Sequence, residues 1–253
     1  MNLRPIGFSS GALAKSDYRR GIELQQSNKG ITAIELSALR EPELKPLIST
    51  ISKLSLDHFE YVSFHAPSRF AEFAEDEIVS ELNSIPGSWP IVVHPDLIRD
   101  PDLWSILGNR LCLENMDMRK RTGRTVAEMQ LIFSQLPAAG FCLDLGHARQ
   151  IDPTMSIAIE MIKTFGDRLR QLHVSEVGTF GEHRSRIGFL AQAAFRKVAR
   201  YLPSDAPLIL ESLVAEQEID AELGVVLDVF GGLTSRDMRR ATEPMSERRV
   251  AER

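Results

Sequence analysis

The sequence predicts a single (β/α)₈ barrel, and three observations carry the prediction. The chain has 253 residues, about the typical length of that fold. Short runs rich in apolar and β-branched residues alternate with helical patterns along the chain, and eight such runs can be counted. An open dinucleotide-binding sheet, the competing architecture, wants G-x-G-x-x-G after its first strand. The chain reads Gly7-Phe8-Ser9-Ser10-Gly11-Ala12 there, so the closed barrel is preferred.

In order, the strand candidates are Arg4–Ser9, Ile31–Leu36, Tyr61–His65, Ile91–His94, Leu111–Asn115, Phe141–Asp144, Leu169–Ser175 and Leu208–Glu211. Each is short, ends in or just before a polar residue and hands over to a helical pattern. Asp100-Pro101 and Asp152-Pro153 each set an acidic N-cap before proline at a first helical position. Gly108 and Gly166 fall where those two helices should stop. Thr125 with Glu128 reads as a capping box opening a helix over Val126–Gln135, whose Val126, Met129, Ile132 and Phe133 keep one apolar face. No linker interrupts the pattern, so residues 1–232 form one domain. Residues 233–253 form a highly charged C-terminal tail, expected to be disordered or a helix without a core face.

Composition narrows the function classes. The net charge is −5 and no Lys/Arg-rich stretch stands out in the body, which argues against a nucleic-acid surface. No run approaches the ~20 apolar residues of a membrane span, and the N-terminus carries no signal-peptide pattern. The two cysteines, Cys112 and Cys142, do not make a disulfide framework; a reducing, cytoplasmic setting is the simple reading. A small-molecule substrate is the partner expected.

The informative feature is where the polar residues fall. Five of the six histidines lie at or just past a strand's carboxyl end: His65, His94, His147, His173 and His183. Glu35, Glu114, Asp144, Glu176 and Glu211 take matching places. A closed parallel barrel gathers those ends on one face, where such folds keep their active sites. Strand parity sets Cys112 below Glu114 and Cys142 below Asp144, inside the barrel, as core residues. Carboxylates and imidazoles crowded at an apolar mouth repel or are desolvated unless a divalent cation joins them. Glu114, Asp144, His173 and Glu211, on four successive strands, are therefore expected to bind a metal. Mixed imidazole and carboxylate ligation suits Zn²⁺, Mn²⁺, Fe²⁺ or Co²⁺ better than Ca²⁺. Glu35 could anchor a substrate hydroxyl or a loop, and Glu176 is expected to orient His173 or a loop. Asn115, Arg119, Lys120 and Arg121 follow the fifth strand and could hold a substrate phosphate or carboxylate; for the last three a solvated loop is preferred. His58 is assigned no role.

Leu113-Glu114-Asn115-Met116, Leu143-Asp144-Leu145-Gly146-His147-Ala148 and His173-Val174-Ser175-Glu176 resemble, in order and spacing, the xylose isomerase-like barrels. That superfamily contains sugar isomerases and epimerases and endonuclease IV. The resemblance implies one metal on Glu114, Asp144, His173 and Glu211. Glu114 and Glu211 would also act as acid and base on either face of the substrate, around a metal-stabilised enediolate. His147 would bind a substrate oxygen. In the endonuclease branch the same likeness makes His65 and His94 candidates for a second metal, with His147 and His183 as further ligands. The Asp of that branch's Asp-x-His pair is missing, since Gly181 stands two before His183; His183 is therefore assigned to substrate. The resemblance also implies a homo-oligomer. Three functions follow in order of preference: a metal-dependent isomerase or epimerase of a small sugar, polyol or sugar phosphate; a metal-dependent phosphoester hydrolase; and a non-catalytic metal- or ligand-binding barrel.

Overall fold

The computed structural model describes residues 4–14, 17–38 and 40–231. The charged tail expected over 233–253 lies outside them. Eight parallel strands close into a barrel in sequence order, β8 returning to β1. They are β1 (Ile6–Ser9), β2 (Ala33–Ser37), β3 (Tyr61–His65), β4 (Ile91–Val93), β5 (Leu111–Glu114), β6 (Gly140–Asp144), β7 (Leu169–Val174) and β8 (Leu208–Leu210). All eight expected strands form, trimmed or shifted by a residue or two at their ends.

Ten α-helices are present among the described residues. In chain order they are α1 (Ser10–Leu13), α2 (Tyr18–Gln26), α3 (Glu41–Thr50), α4 (Glu75–Asn83), α5 (Pro101–Trp104), α6 (Val126–Gln135), α7 (Leu145–Ile151), α8 (Ser156–Phe165), α9 (Phe189–Ala199) and α10 (Ile219–Phe230). The capping box of α6 forms as expected: Glu128 N donates to Thr125 Oγ1 at 3.2 Å, and Thr125 N donates to Glu128 Oε2 at 3.2 Å. Met129 and Phe133 are its buried face, with Val126 and Ile132 partly buried beside them. Asp100 caps α5, accepting from Asp102 N at 3.1 Å. Gly166 ends α8, and Gly108 kinks the short 3₁₀ segment after α5 at φ 55°.

Asp152-Pro153 does not open a helix at Pro153. Asp152 closes α7, and α8 begins at Ser156. The carboxylate is used across the intervening turn, accepting from Thr154 N at 2.9 Å and from Ile157 N at 3.1 Å. It satisfies donors of the next helix from outside, which proline spacing alone does not predict.

The main apolar core lies between the strands and the helices. The barrel interior is different. Val92, Cys112 and Cys142 form a small apolar cluster of their own, and both thiols are free and buried as parity predicts. Around them the interior is polar: Ser63, Glu35, Gln171 and His173 are all fully buried. Buried polar side chains persist only where they satisfy one another or a ligand, and these bond to one another from Tyr61 up to His173.

Candidate metal centre

Glu114 is the hub. It ends β5, is 1% exposed, and its two oxygens face opposite groups of imidazoles. Oε1 lies 3.2 Å from His173 Nδ1 and 3.3 Å from His147 Nδ1. Oε2 lies 3.3 Å from both His65 Nε2 and His94 Nε2. Asp144 ends β6 opposite His173 of β7 in register. Glu211, just past β8, brings Oε2 to 3.6 Å from His173 Nδ1. One ligand atom from each of Glu114, Asp144, His173 and Glu211 lies within 4.8 Å of the others. His65, His94 and Glu114 form a second group by the same measure, and His65, His173 and Glu211 a third.

The local sequence explains this convergence. Inward-facing strand positions repeat every second residue, so successive strands deliver one side chain each to the mouth. At the end of β6 the chain turns straight into α7, and Asp144 caps it, accepting from His147 N at 2.6 Å. The same turn swings His147 over the mouth. Gly146 permits it: a Cβ there would lie 2.7 Å from both Ser175 O and Val177 Cγ2.

Backbone carbonyls set two of the imidazoles. His65 Nδ1 donates to Ala66 O at 2.7 Å and His147 Nδ1 to Asn115 O at 2.9 Å. Each keeps Nε2 as the nitrogen available to a ligand. His183 is partly exposed, with Nδ1 3.0 Å from Ser175 Oγ.

The electrostatics are those of an unresolved conflict. Burial opposes ionisation of Glu114, but His173, with hydrogen bonds from His147, His173 and His65, outweighs it and holds the carboxyl well below its usual range. Burial pushes Asp144 up to about 6 against the pull of His147. Burial likewise raises Glu211 to about 7, with Glu114 and Asp144 adding to the effect against His173. His147 rises to about 10 despite burial, because of Asp144 and Glu114; burial lowers His183 to about 4. Asp144 Oδ2 and His94 Nδ1 are buried without a hydrogen-bond partner. Three acids in one dry cluster, one with an orphaned oxygen, are the donor set a divalent cation takes. The residues present fit such an ion.

A cleft of about 480 Å³ opens over the cluster. Its walls include His65, His94, His147, His183, Glu114 and Glu211, together with Arg69, Asp117, Arg119 and Lys120. Arg119 and Lys120 line the cleft from a turn after β5, Arg119 exposed there as a solvated loop would leave it and Lys120 half-buried. Arg119 Nε donates to Asp117 Oδ2 at 2.9 Å, and Lys120 Nζ to Asp96 Oδ2 at 2.8 Å. Arg121 is exposed.

Two residues expected to meet substrate are placed elsewhere. Asn115 turns its amide to the backbone of β6, Nδ2 donating to Asp144 O at 2.9 Å and Oδ1 accepting from Asp144 N at 2.7 Å. It pins β5 to β6 and is not among the residues lining the cleft. Glu35 is fully buried beneath the cleft, its Oε2 3.0 Å from His173 Nε2. Glu176 does not reach His173; it accepts from Gly188 N at 2.7 Å and steadies the loop before α9. Sequence reading also passed over Asp117 and Gln171. Asp117 follows Glu114 by three residues and lines the cleft. Gln171 precedes His173 by two, and the parity that put the cysteines below their carboxylates puts it below His173.

The fold, a closed (β/α)₈ barrel, is shared with several solved structures. Among solved structures, the chain is similar to the IolI protein with a bound zinc atom (TM-score 0.62, 15% identity, 91% of this chain and 99% of that one). It is similar to endonuclease IV from Thermus thermophilus (TM-score 0.58, 20% identity, 90% and 99%). A D-tagatose 3-epimerase-like protein gives a TM-score of 0.57 at 16% identity, over 90% of this chain and 100% of that one. No protein-family model and no curated protein sequence matches the chain. No helix among the described residues is long and apolar enough to cross a membrane.

Proposed function

We propose that this protein is a divalent-metal-dependent isomerase or epimerase of a small sugar, polyol or sugar phosphate. The observation that carries the reading is the four-residue cluster of Glu114, Asp144, His173 and Glu211, with ligand atoms within 4.8 Å of one another at the floor of a small-molecule-sized cleft. Zn²⁺, Mn²⁺, Fe²⁺ or Co²⁺ held there would supply a Lewis acid for adjacent hydroxyl and carbonyl oxygens. The protein's own part is proton transfer. Glu114 and Glu211, both lining the cleft, are the carboxylates placed to take a proton from a substrate carbon and to return it. His147 and His183 line the cleft and are suited to bind substrate oxygens. The zinc-bound IolI protein and the epimerase-like neighbour support this choice.

The test is metal analysis followed by solvent exchange on a panel of keto-sugars and polyols. Wild type is expected to incorporate deuterium at one substrate carbon, and Glu114→Gln and Glu211→Gln each to lower the rate by at least ~10²-fold, the scale of a general acid–base group. Exchange that persists in both variants would remove the assignment.

One observation favours a second reading. Glu114 offers Oε1 to one imidazole group and Oε2 to another, as a carboxylate bridging two cations would, with His65 and His94 completing the second site. Paired metals suit phosphoester hydrolysis, and endonuclease IV is a structural neighbour. Two metals per chain, with chelator-sensitive cleavage of an abasic-site duplex, would favour it. One metal per chain and an intact duplex would exclude it.

A further inference from the structure

His65 and His147 are each oriented by a backbone carbonyl, but His173 is oriented by something else. Its ring is fully buried, with Nδ1 facing Glu114 and Glu211 and Nε2 facing down the barrel. There, Glu35 Oε2 lies 3.0 Å from Nε2. Glu35 in turn accepts from Gln171 Nε2 at 2.7 Å and from Ser63 Oγ at 3.3 Å. Gln171 is itself held, since Tyr61 donates its hydroxyl to Gln171 Oε1 at 2.8 Å. A buried chain therefore runs from Tyr61 through Gln171 and Glu35 to His173.

We infer that Glu35 is a positioning residue for the metal centre. It accepts the Nε2 proton of His173 and so leaves the Nδ1 lone pair for the cation. The inference rests on the metal reading above.

Three points carry it. A carboxylate is the strongest acceptor available to an imidazole N–H, and a ligating histidine needs its second nitrogen fixed in this way. No Lys or Arg pairs with the fully buried Glu35 among the described residues, His173 is the imidazole in direct contact with it, and its Oε1 has no hydrogen-bond partner. The competing arrangement is the weaker one, because an amide N–H to imidazole bond lacks the charge assistance of an N–H to carboxylate bond. Gln171 Nε2 lies 2.8 Å from His173 Nε2 and could donate to a deprotonated Nε2, which would put the proton on Nδ1 and block ligation. Tyr61 fixes which end of the amide faces inward, and Glu35 Oε2 lies within hydrogen-bonding distance of both nitrogens. The carboxylate thus decides between two tautomers that the amide alone would leave open.

The experiment uses the full chain, zinc and a competing chelator, comparing wild type with Glu35→Gln, Glu35→Ala and Tyr61→Phe. Zinc affinity is expected to fall roughly 10–100-fold in Glu35→Ala, less in Glu35→Gln, whose amide oxygen still accepts the Nε2 proton, and least in Tyr61→Phe. Long-range ¹H–¹⁵N spectra of the zinc-loaded wild type should report a protonated Nε2 on His173. Melting curves of the metal-free variants separate loss of fold from loss of ligand geometry; if Glu35→Ala does not fold, Glu35→Gln and the spectrum decide. Equal affinities in folded variants, or a proton on Nδ1, would overturn the inference while leaving the metal centre intact. A wild type that takes up no zinc would instead remove the metal reading itself.

Discussion

Asp144 holds the sharpest conflict at the scale of a single residue. One carboxylate oxygen caps α7 through His147 N, while the other is buried with no partner. Without a cation this second oxygen is a net cost, visible in the rise of the group to about 6. Asparagine keeps the cap, because its Oδ1 still accepts from His147 N, and removes the charge. Asp144→Asn should therefore melt higher than wild type in the metal-free state, yet bind zinc at least about tenfold more weakly, because a ligand is lost. Thermal melts in chelator and a zinc competition assay read the two effects separately. A variant that is less stable without metal, with zinc affinity unchanged, would mean that Asp144 is structural only.

At the scale of elements, the loops that carry the site are held by carboxylates on backbone donors. Glu41, at the start of α3, accepts from Ala71 N at 2.6 Å, Glu72 N at 2.7 Å and Phe73 N at 3.2 Å. It thereby gathers the stretch that leads from β3 to α4, which includes the cleft residue Arg69. Glu222 of α10 does the same for the β7 and β8 loops, accepting from Ser212 Oγ at 2.6 Å and Ile187 N at 3.0 Å. Burial raises Glu41, but its three backbone hydrogen bonds outweigh it and leave the group below its ordinary value. A depressed carboxylate stabilises the fold above its unfolded value near 4.5, and that contribution is lost as the pH falls through and below that value. Hydrogen exchange at Ala71–Phe73 should accordingly speed up, beyond the intrinsic change, as the pH is lowered from about 5 toward 3. Glu41→Gln should show the faster exchange already at neutral pH. Protection equal to wild type in that variant would mean that the loop is held by other contacts.

The whole molecule is a barrel whose inner column is polar. The apolar core lies outside the strands, whereas the interior near the mouth holds charges that no lysine or arginine neutralises among the described residues. A ligand that binds the folded chain alone raises its stability by mass action. Free zinc at about 100 times its Kd should add about 2.7 kcal/mol, a rise in Tm of roughly 5–10 °C for a chain of this size. The shift should vanish in His173→Ala. Magnesium should be less effective than zinc, manganese or cobalt, because imidazole suits the transition metals. A Tm indifferent to all of these ions would remove the metal centre as an organising feature of the fold.

The strand order, the barrel and the quartet of Glu114, Asp144, His173 and Glu211 were all legible in the chain itself. Each depends on local periodicity: a period of two along a strand, a strand–helix repeat, and polar residues placed where strands end. The same rule correctly buried Cys112 and Cys142, and applied once more it would have found Gln171. What each polar group spends its hydrogen bonds on is a different kind of fact. Asn115 is bonded to the backbone of β6, 29 residues away, and Glu35 meets His173 across 138 residues. Asp152 skips the proline beside it to cap a helix that begins at Ser156. Hydrogen bonds are short and directional, so which donor meets which acceptor is settled by the closure of the barrel. Residue order specifies which side chains reach the mouth, because strand parity is local; the closed barrel selects which of them stay free to act there, because their partners come from distant strands.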